Sequence, residues 1–439
     1  SIRFDGFKPV IPRALTAGQK LTTILTALTT RANYHAAGNF DRLPIPFKTI
    51  STDIVSGREI VLDSGSLADA MRATMGFPLA FTPLDKGDQL LMDGGMVTPI
   101  PVDLVRNMSD SVSFTVAVNT VSPLLPKDEL STPMDIANQV TSIMTADKLA
   151  TQLHKADYPI EPPLDGIEMS DFKARDSLIE IGYRVGLTAA DSIIALLRKK
   201  QDSTSVAVVS MQFDSCAQHY AARFKERLLD RTFSQSQLIA VLKEMFLELN
   251  LFCLEAQLGL VDDHGVHDRR LSLTINATPT QKWTDIQVEL VGNAMYPDSL
   301  LLHLLRGGDT VITSESLRRG LDRMLGLYRS DGYDLADIEA ISLTDCGTRL
   351  KVVLDEAVLT HVDISGNDRT KDWMIKTNFP LKAGQPYSTG RASRGLANIY
   401  ASDLFSRVTV DLTPCEQGAE LKISLEEKQA HQLRLGWHW

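Results

Sequence analysis

The spacing of apolar residues divides the chain into two kinds of region. Before residue 200, short apolar runs typical of buried strands alternate with segments whose apolar residues recur every three or four positions, as on a helix. The predicted helices cover 67–75, 133–153 and 171–197, an earlier one surrounds Leu21 to Leu28, and the predicted strands are 47–50, 60–62, 90–93 and 113–118. Strands that alternate with helices indicate an α/β fold in which helices cover the faces of a layered sheet.

A second pattern begins after the polar stretch 199–205, where the chain repeats itself. Alternating strands end in Gly292-Asn293 and in Gly366-Asn367, and the two glycines are 74 residues apart. The helices recur as well, with Leu-Arg-Arg-Gly-Leu at 317–321 and Ala-Ser-Arg-Gly-Leu at 392–396. Self-similarity at a fixed spacing predicts an array of small structural units.

A more divergent copy precedes these two, from Val206 to Ile275. Strands of period two that bracket helical segments give three α+β units of the form β-α-α-β-β, each of about 75 residues. Their predicted boundaries are 206–282, 284–358 and 360–429. These units resemble POTRA domains, the periplasmic modules that precede outer-membrane β-barrels. The resemblance implies that they bind extended polypeptide by adding a strand at an open sheet edge. The alternative is that the repeats are spacers.

The final residues, 431–439, alternate in polarity. Leu433, Leu435, Trp437 and Trp439 are separated by polar or small residues. Such alternation, with aromatic residues suited to an interface, is typical of a membrane-barrel strand. After POTRA-like repeats we expect this segment to be the first strand of a truncated outer-membrane barrel; a fourth soluble strand is the alternative.

The apolar run that precedes Asp93-Gly94-Gly95 delivers a carboxylate to a tight turn. Asp-Gly-Gly turns are common, but upstream segments at 47–53, 57–62 and 66–75 agree, in order, with a known family. Together they resemble the C-terminal portion of a patatin-like phospholipase domain, which we expect over 1–200 as an incomplete αβα layered domain. The resemblance implies that Asp93 is the base of a Ser/Asp catalytic dyad and that Gly94 and Gly95 shape the turn that aims it.

The other half of the dyad is not found. The nucleophile of the family lies in Gly-x-Ser-x-Gly on a strand-to-helix elbow, and no serine of this sequence has glycine at both positions. We therefore expect a fragment of a longer protein, in which the serine lies upstream and the 439 residues alone do not turn over substrate.

Other residues near Asp93 have competing interpretations. The apolar loop with Phe77, Pro78 and Phe81 is a candidate for an acyl-chain groove, with ordinary core packing as the alternative. Asp53 follows a strand and is expected to cap a turn, whereas Asp69 is expected on a solvated helix face. We expect His35 and His154 to lie at the surface, so a dyad without histidine is consistent with the sequence.

Composition narrows the remaining choices. The net charge of −10 and the pI of about 5.4 argue against a nucleic-acid binder, which needs a basic surface. The four cysteines, Cys216, Cys253, Cys346 and Cys415, are scattered; their even number permits disulfides without pairing them. No cofactor is implied. No metal site is expected either, because His264 and His267 have no nearby thiol or Glu-x-x-His pattern.

Two functions of different classes follow. The favoured one is a serine acyl hydrolase acting on phospholipid or another acyl ester, carried to the bacterial outer membrane or cell surface by the repeats and a barrel. The alternative is a non-catalytic periplasmic module that binds or translocates polypeptide and retains a degenerate patatin domain. A weaker third interpretation is a cytoplasmic patatin-like enzyme with unrelated C-terminal domains.

Overall fold

The structure is a computed structural model that describes residues 3–5, 8–10, 14–109, 112–121, 123–164, 167, 172–201, 205–263, 268–416 and 418–428. The predicted barrel strand 431–439 and the pair His264 and His267 lie outside these residues. The chain forms two compact units, one from 1–187 with 357–439 and the other from 188–356. In the described part of the chain, no helix is long and apolar enough to span a membrane.

The N-terminal part of the first unit mixes strands and helices, as predicted. Its strands are β1 (Arg3–Asp5), β2 (Lys8–Val10), β3 (Thr49–Asp53), β4 (Arg58–Leu62), β5 (Leu84–Lys86), β6 (Gln89–Asp93), β7 (Val116–Val118) and β8 (Tyr158–Ile160). Its helices are α1 (Gln19–His35), α2 (Leu67–Thr74), α3 (Val102–Arg106) and α4 (Pro133–Lys155). Helix α5 (Arg175–Gln201) begins in this unit and contains the boundary at residue 187.

An antiparallel sheet of order β4-β3-β6-β5 carries the predicted strands around Asp93. Helix α2 begins where predicted, because the Ser66 side chain accepts a hydrogen bond from the Asp69 amide. The core packs Phe40, Leu91 and the buried face of α2 together. The prediction that the segment 113–118 is an internal strand is wrong. Among the described residues β7 pairs with β8 alone, in a two-stranded parallel sheet, and Val116 and Val118 are exposed.

The second unit contains two of the predicted repeats. Its strands are β9 (Ser205–Phe213), β10 (Arg231–Ser234), β11 (Leu251–Asp263), β12 (Asp268–Pro279), β13 (Gln281–Lys282), β14 (Gln287–Val291), β15 (Val311–Ile312), β16 (Asp337–Thr344) and β17 (Arg349–Asp355). Its helices are α6 (Ala221–Leu228), α7 (Gln235–Glu248), α8 (Asp298–Arg306) and α9 (Ser314–Ser330).

The C-terminal repeat returns to the first unit and consists of β18 (Leu359–Ser365), α10 (Asp372–Asn378), α11 (Thr389–Ala401), β19 (Phe405–Cys415) and β20 (Gly418–Glu427). The main sheets have the orders β10-β9-β12-β11, β14-β17-β16 and β18-β20-β19. In each repeat the first and last strands are parallel, while the last two are antiparallel. The predicted β-α-α-β-β plan is therefore confirmed, and the divergent first copy adds β10 at one edge.

The recurring Gly-Asn pair has a physical explanation. Gly292 has a φ of 86°, which favours glycine, and a Cβ there would lie 3.2 Å from the carbonyl carbon of Leu354 and closer still to its oxygen. The next residue, Asn293, donates from Nδ2 to the carbonyl of Tyr296 at 3.2 Å and to Asp298 at 2.7 Å. The pair therefore ends a strand and fixes the start of α8.

The later Gly-Asn pair repeats this arrangement. Gly366 has a φ of 81°, and a Cβ there would lie 3.0 Å from the carbonyl carbon of Leu425 and closer still to its oxygen. Asn367 donates to the carbonyl of Thr370 and to Asp372, both at 2.8 Å. The equivalence extends from sequence to hydrogen bonds.

Two of the four cysteines are paired. Cys216 and Cys346 form a disulfide across 130 residues of chain, within the second unit. Cys346 lies in the turn between β16 and β17, where its carbonyl accepts a hydrogen bond from the side chain of Gln281. The disulfide therefore joins the first repeat to the second, while Cys253 and Cys415 remain as thiols.

Candidate active site

Asp93 is held at the end of β6 by hydrogen bonds to its backbone on two sides. Its amide donates to the carbonyl of Gly76 at 3.1 Å, and its carbonyl accepts from the hydroxyl of Thr52 at 2.9 Å. In the sheet it is paired with Ser51 of β3. The direction in which its carboxylate leaves the strand is thus set by the sheet rather than by a loop.

The two glycines that follow have different roles. A Cβ on Gly94 would lie 2.6 Å from the carbonyl carbon of Ile50 and closer still to its oxygen, so only glycine fits where the turn crosses β3. The Gly95 amide donates to Oδ1 of Asp93 at 2.7 Å and fixes the carboxylate. A further bond, from the amide of Thr98 to the carbonyl of Gly94 at 2.8 Å, closes the turn.

Asp93 lines a cavity of about 840 Å³. The lining comes from the Asp93 turn, β7, α4 and α5 and is largely apolar, with Val118, Leu164, Leu178 and Ile179 among its residues. This volume falls within the range of ligand pockets, roughly 300–1,000 Å³. Asp93 therefore lies at the wall of a largely apolar cavity of ligand size.

Of the three residues predicted for an acyl groove, the structure places one on the cavity. Phe77 lines it, whereas Pro78 and Phe81 do not. Phe81 lies instead under the guanidinium of Arg72, 4.6 Å from its ring centre. Arg72 in turn donates to the carbonyl of Thr82 at 3.0 Å. The second half of this loop therefore has a packing role.

Burial raises the pKa of the Asp93 carboxyl above its usual value, and the hydrogen bond from the Gly95 amide opposes this shift. Burial acts in this direction because removing water destabilises the charged form. A carboxylate with a raised pKa accepts a proton more readily than a solvated one, which suits a general base.

The competing carboxylates have other partners. Asp53 caps the turn after β3, as predicted: it accepts from the hydroxyl of Ser56 at 2.6 Å and from the amides of Val55 and Leu90, each at 3.1 Å. The Ser56 hydroxyl is the largest of the effects that lower its pKa. The prediction that Asp69 is solvated is wrong, because its carboxylate pairs with Arg407 at 2.5 Å. His35 and His154 are exposed, as expected.

Several contributors to the site were missed at the sequence level. Thr98 hydrogen-bonds to the carboxylate of Glu59 and receives a hydrogen bond from Lys148 of α4, which braces the segment after the Asp93 turn. Thr141 and Thr145 of α4 face the cavity. A helical pattern alone cannot show which face of α4 meets the Asp93 turn, since the two are about 50 residues apart.

Ser51 is the hydroxyl that the sheet places opposite Asp93. It is fully buried, has no hydrogen-bond partner among the described residues, and does not line the cavity. A substrate in the cavity would therefore not reach it. Within the described residues, no group of three or more histidine, cysteine, aspartate or glutamate side chains is placed to hold a metal ion.

Comparisons with known proteins locate two families along the chain. Residues 7–106 match the family model "Patatin-like phospholipase", and residues 357–428 match the POTRA model "Surface antigen variable number repeat". The first of these ranges contains the whole Asp93 turn, and the second contains the C-terminal repeat.

Curated relatives and solved structures are similar to different parts of the chain. An uncharacterised NTE family protein of Mycobacterium tuberculosis is 28% identical over 180 residues, covering 36% of this chain and 31% of its own length. The patatin-like phospholipase domain-containing protein 7 of Mus musculus is 27% identical over 173 residues, covering 34% and 13%. The chain thus spans about a third or less of these relatives.

Among solved structures, POTRA domains 1–3 of the periplasmic domain of Omp85 from Anabaena align with 52% of this chain and 97% of theirs, at 17% identity and a TM-score of 0.32. The family matches and the folded elements agree in their order along the sequence. The chain combines a patatin-like phospholipase region on its N-terminal side with POTRA-like β-α-α-β-β repeats on its C-terminal side.

Proposed function

We propose that Asp93 is the general base of a serine acyl hydrolase that acts on phospholipid or another acyl ester. The observation that carries the proposal is the position of its carboxylate, fixed by Gly95 at 2.7 Å on the wall of an apolar cavity of about 840 Å³. The raised pKa of the group supports the same role. Phe77, Leu178 and Ile179 would receive the acyl chain.

Ester hydrolysis needs a nucleophile, a base and a site for the oxyanion. Asp93 would take the proton of a serine hydroxyl while the serine oxygen bonds to the acyl carbon, and the departing alcohol would take up that proton. Water would then attack the acyl carbon of the acyl-enzyme and give a proton to Asp93. As the bond from the serine oxygen to the acyl carbon breaks, that oxygen would take the proton back from Asp93, and the acid would leave. No serine of this sequence lies in Gly-x-Ser-x-Gly, so the proposal takes the nucleophile from a segment joined to these 439 residues in the intact protein.

The test is hydrolysis of a p-nitrophenyl ester and of phosphatidylcholine vesicles by the protein expressed from its complete gene. We expect Asp93→Asn to lower kcat/KM by about 10²–10⁴-fold, the usual contribution of a general base. Asp85→Asn is the matched control, since Asp85 is an exposed aspartate on the adjacent strand β5 and does not line the cavity. Undiminished activity of Asp93→Asn would exclude the dyad.

A second function is favoured by the repeats. We propose that they bind extended polypeptide at their open sheet edges, in a protein of the bacterial periplasm and outer membrane. Strand β16 forms one edge of its sheet and is exposed over residues 339–342. Strand β11 forms another, with Leu258 and Val261 exposed. Unpaired backbone groups at such edges are templates for an added strand.

Hydrogen exchange of the full chain tests this second function. A short soluble peptide of repeated Thr-Val-Lys units should slow amide exchange in β11 or β16, because an added strand takes up the free backbone groups of the edge. Exchange in the central strands β12 and β17 serves as the internal control. Unchanged exchange at both edges with peptide in excess would refute the polypeptide-binding role.

A further inference from the structure

The C-terminal repeat has a strand edge that is already occupied. Strand β19 lies at the edge of the sheet β18-β20-β19, so one side of its backbone has no strand neighbour among the described residues. Gln19 of α1 fills this position: its Nε2 donates to the carbonyl of Val408 at 2.7 Å, and its Oε1 accepts from the amide of Val408 at 3.2 Å. A side-chain amide that bonds both backbone groups of one residue imitates a residue of an added strand.

The face of α1 turned toward β19 explains an unexpected burial pattern. Thr22, Thr26 and Thr30 are buried, while the apolar Ile24 and Leu28 of the same helix are 56% and 75% exposed. Thr26 and Thr30 border a narrow gap together with Val410 and Leu412 of β19. Helix α1 thus turns its threonine face toward the repeat, while it also packs against α2 of the patatin-like region.

An ion pair and further polar contacts surround this contact. Arg407 of β19 pairs with Asp69 of α2 at 2.5 Å and with Glu426 at 3.3 Å, and the side chains of Arg407 and Asp69 are only 23% and 28% exposed. The hydroxyl of Tyr34, at the end of α1, donates to the carbonyl of Gly418 at 3.2 Å. Partly buried charges of opposite sign, together with the hydrogen bond of Tyr34, favour one docked arrangement over others.

We propose that α1 is an intramolecular occupant of the β19 edge, so that the patatin-like region closes the C-terminal repeat to extended polypeptide until α1 is displaced. The closure itself rests only on the contacts of Gln19, the threonine face and Asp69. That the closure keeps extended polypeptide from β19 rests on the proposed polypeptide-binding role of the repeats. The other edges, β11 and β16, belong to the second unit, and α1 does not control them in this proposal.

The closure is tested by hydrogen exchange of the full chain without any ligand. Gln19→Glu removes the donor to Val408 and places a carboxylate opposite its carbonyl, while Asp69→Asn weakens the pair with Arg407 without changing its shape. We expect exchange of the β19 amides to rise at least about tenfold in both variants, since each loses a buried or charge-assisted contact. Lys20→Ala, an exposed neighbour on the same helix, should leave exchange unchanged.

Exchange in β3 and β20 shows whether a variant has opened only the edge or has unfolded its surroundings. Unchanged β19 exchange in both Gln19→Glu and Asp69→Asn overturns the proposal. The Thr-Val-Lys peptide then tests exclusion: it should slow β19 exchange in Gln19→Glu and not in the unaltered chain. If the peptide slows β19 exchange equally in Gln19→Glu and in the unaltered chain, the closure is overturned. If the peptide slows exchange at none of the edge strands, in neither the unaltered chain nor Gln19→Glu, polypeptide binding is refuted. The closure would still be upheld by faster β19 exchange in Gln19→Glu without peptide.

Discussion

Two glycines of helix α9 should respond to alanine in opposite directions. A Cβ on Gly320 would lie 2.9 Å from the carbonyl carbon and 3.0 Å from the Cα of Leu305, and closer still to its oxygen, where α9 crosses α8. A Cβ on Gly326, less than two turns further along, would meet nothing within 4 Å. Comparing Gly320→Ala with Gly326→Ala therefore separates the steric clash at the helix crossing from the gain in helix propensity.

The magnitudes follow from this geometry. Alanine in place of glycine within a helix contributes about 1 kcal/mol of stability, and at Gly326 this gain stands alone. At Gly320 the backbone of Leu305 would have to retreat by about 1 Å to reach an ordinary carbon–oxygen separation of about 3.3 Å. Overpacking of this kind costs about 1–3 kcal/mol, so we expect Gly320→Ala to lower the free energy of unfolding of this repeat by up to about 2 kcal/mol net.

Hydrogen exchange of the slowest amides in β17 measures this free energy for the second repeat within the full chain. We expect exchange about 5-fold slower in Gly326→Ala and up to about 30-fold faster in Gly320→Ala, the factors that correspond to 1 and 2 kcal/mol. Helix propensity contributes equally to both variants, so the difference between their free energies of unfolding gives the cost of the contact with Leu305. A Gly320→Ala variant as stable as Gly326→Ala would refute the close crossing of α8 and α9.

Three further outcomes are expected. Hydrogen bonds from Thr370 and Arg369 lower the pKa of Glu427 to about 2, so the last repeat should lose stability as pH falls from about 4.5 toward 2, and urea denaturation should show this loss to be absent in Glu427→Gln. Because the pKa of Asp93 is raised in the folded protein, the unfolded chain loses this proton at a lower pH, and the folded state loses stability as pH rises above the usual aspartate pKa. Asp93→Asn lacks this loss, so between that pH and neutral pH it should be more stable than the unaltered protein in thermal unfolding at several pH values. The disulfide Cys216–Cys346 closes a loop of 130 residues, so its reduction should lower the free energy of unfolding by at most roughly 5 kcal/mol. The urea midpoint should fall when reductant is added to the unaltered protein, and should not change when it is added to a variant with serine at both positions.

The repeats could be predicted from sequence because their determinants are local. Gly292 and Asn293 end a strand and fix the next helix through residues no more than five positions away, apart from the approach of Leu354. A strand, a turn and a helix start leave a pattern that recurs in the next copy. The turn of Asp93 is visible for the same reason, since Gly95 binds the carboxylate two residues away.

The contacts that sequence did not predict join residues far apart in the chain. Asp69 looked like a solvated helix residue because its partner, Arg407, lies more than 300 positions away. The four cysteines did not indicate that Cys216 pairs with Cys346, because spacing alone does not distinguish among their possible pairings. In each case the tertiary structure brings the two partners together, and the pattern of residues along the sequence does not identify them.

The chemistry of threonine explains the buried face of α1, and the same reasoning applies to the cavity. A threonine in a helix can donate its hydroxyl to the carbonyl four residues earlier, as Thr22 does to Gly18 at 3.3 Å. Its polar group is then satisfied, and its methyl group faces the neighbour, so the residue packs as an apolar one.

On α4, Thr141 donates to Ala137 at 2.9 Å and Thr145 donates to Thr141 at 2.8 Å. Both residues line the cavity beside Asp93. Because their hydroxyls are bound within the helix, the wall that they form is less polar than its composition indicates. An apolar acyl chain would therefore meet no unpaired hydroxyl donor from either of these two side chains.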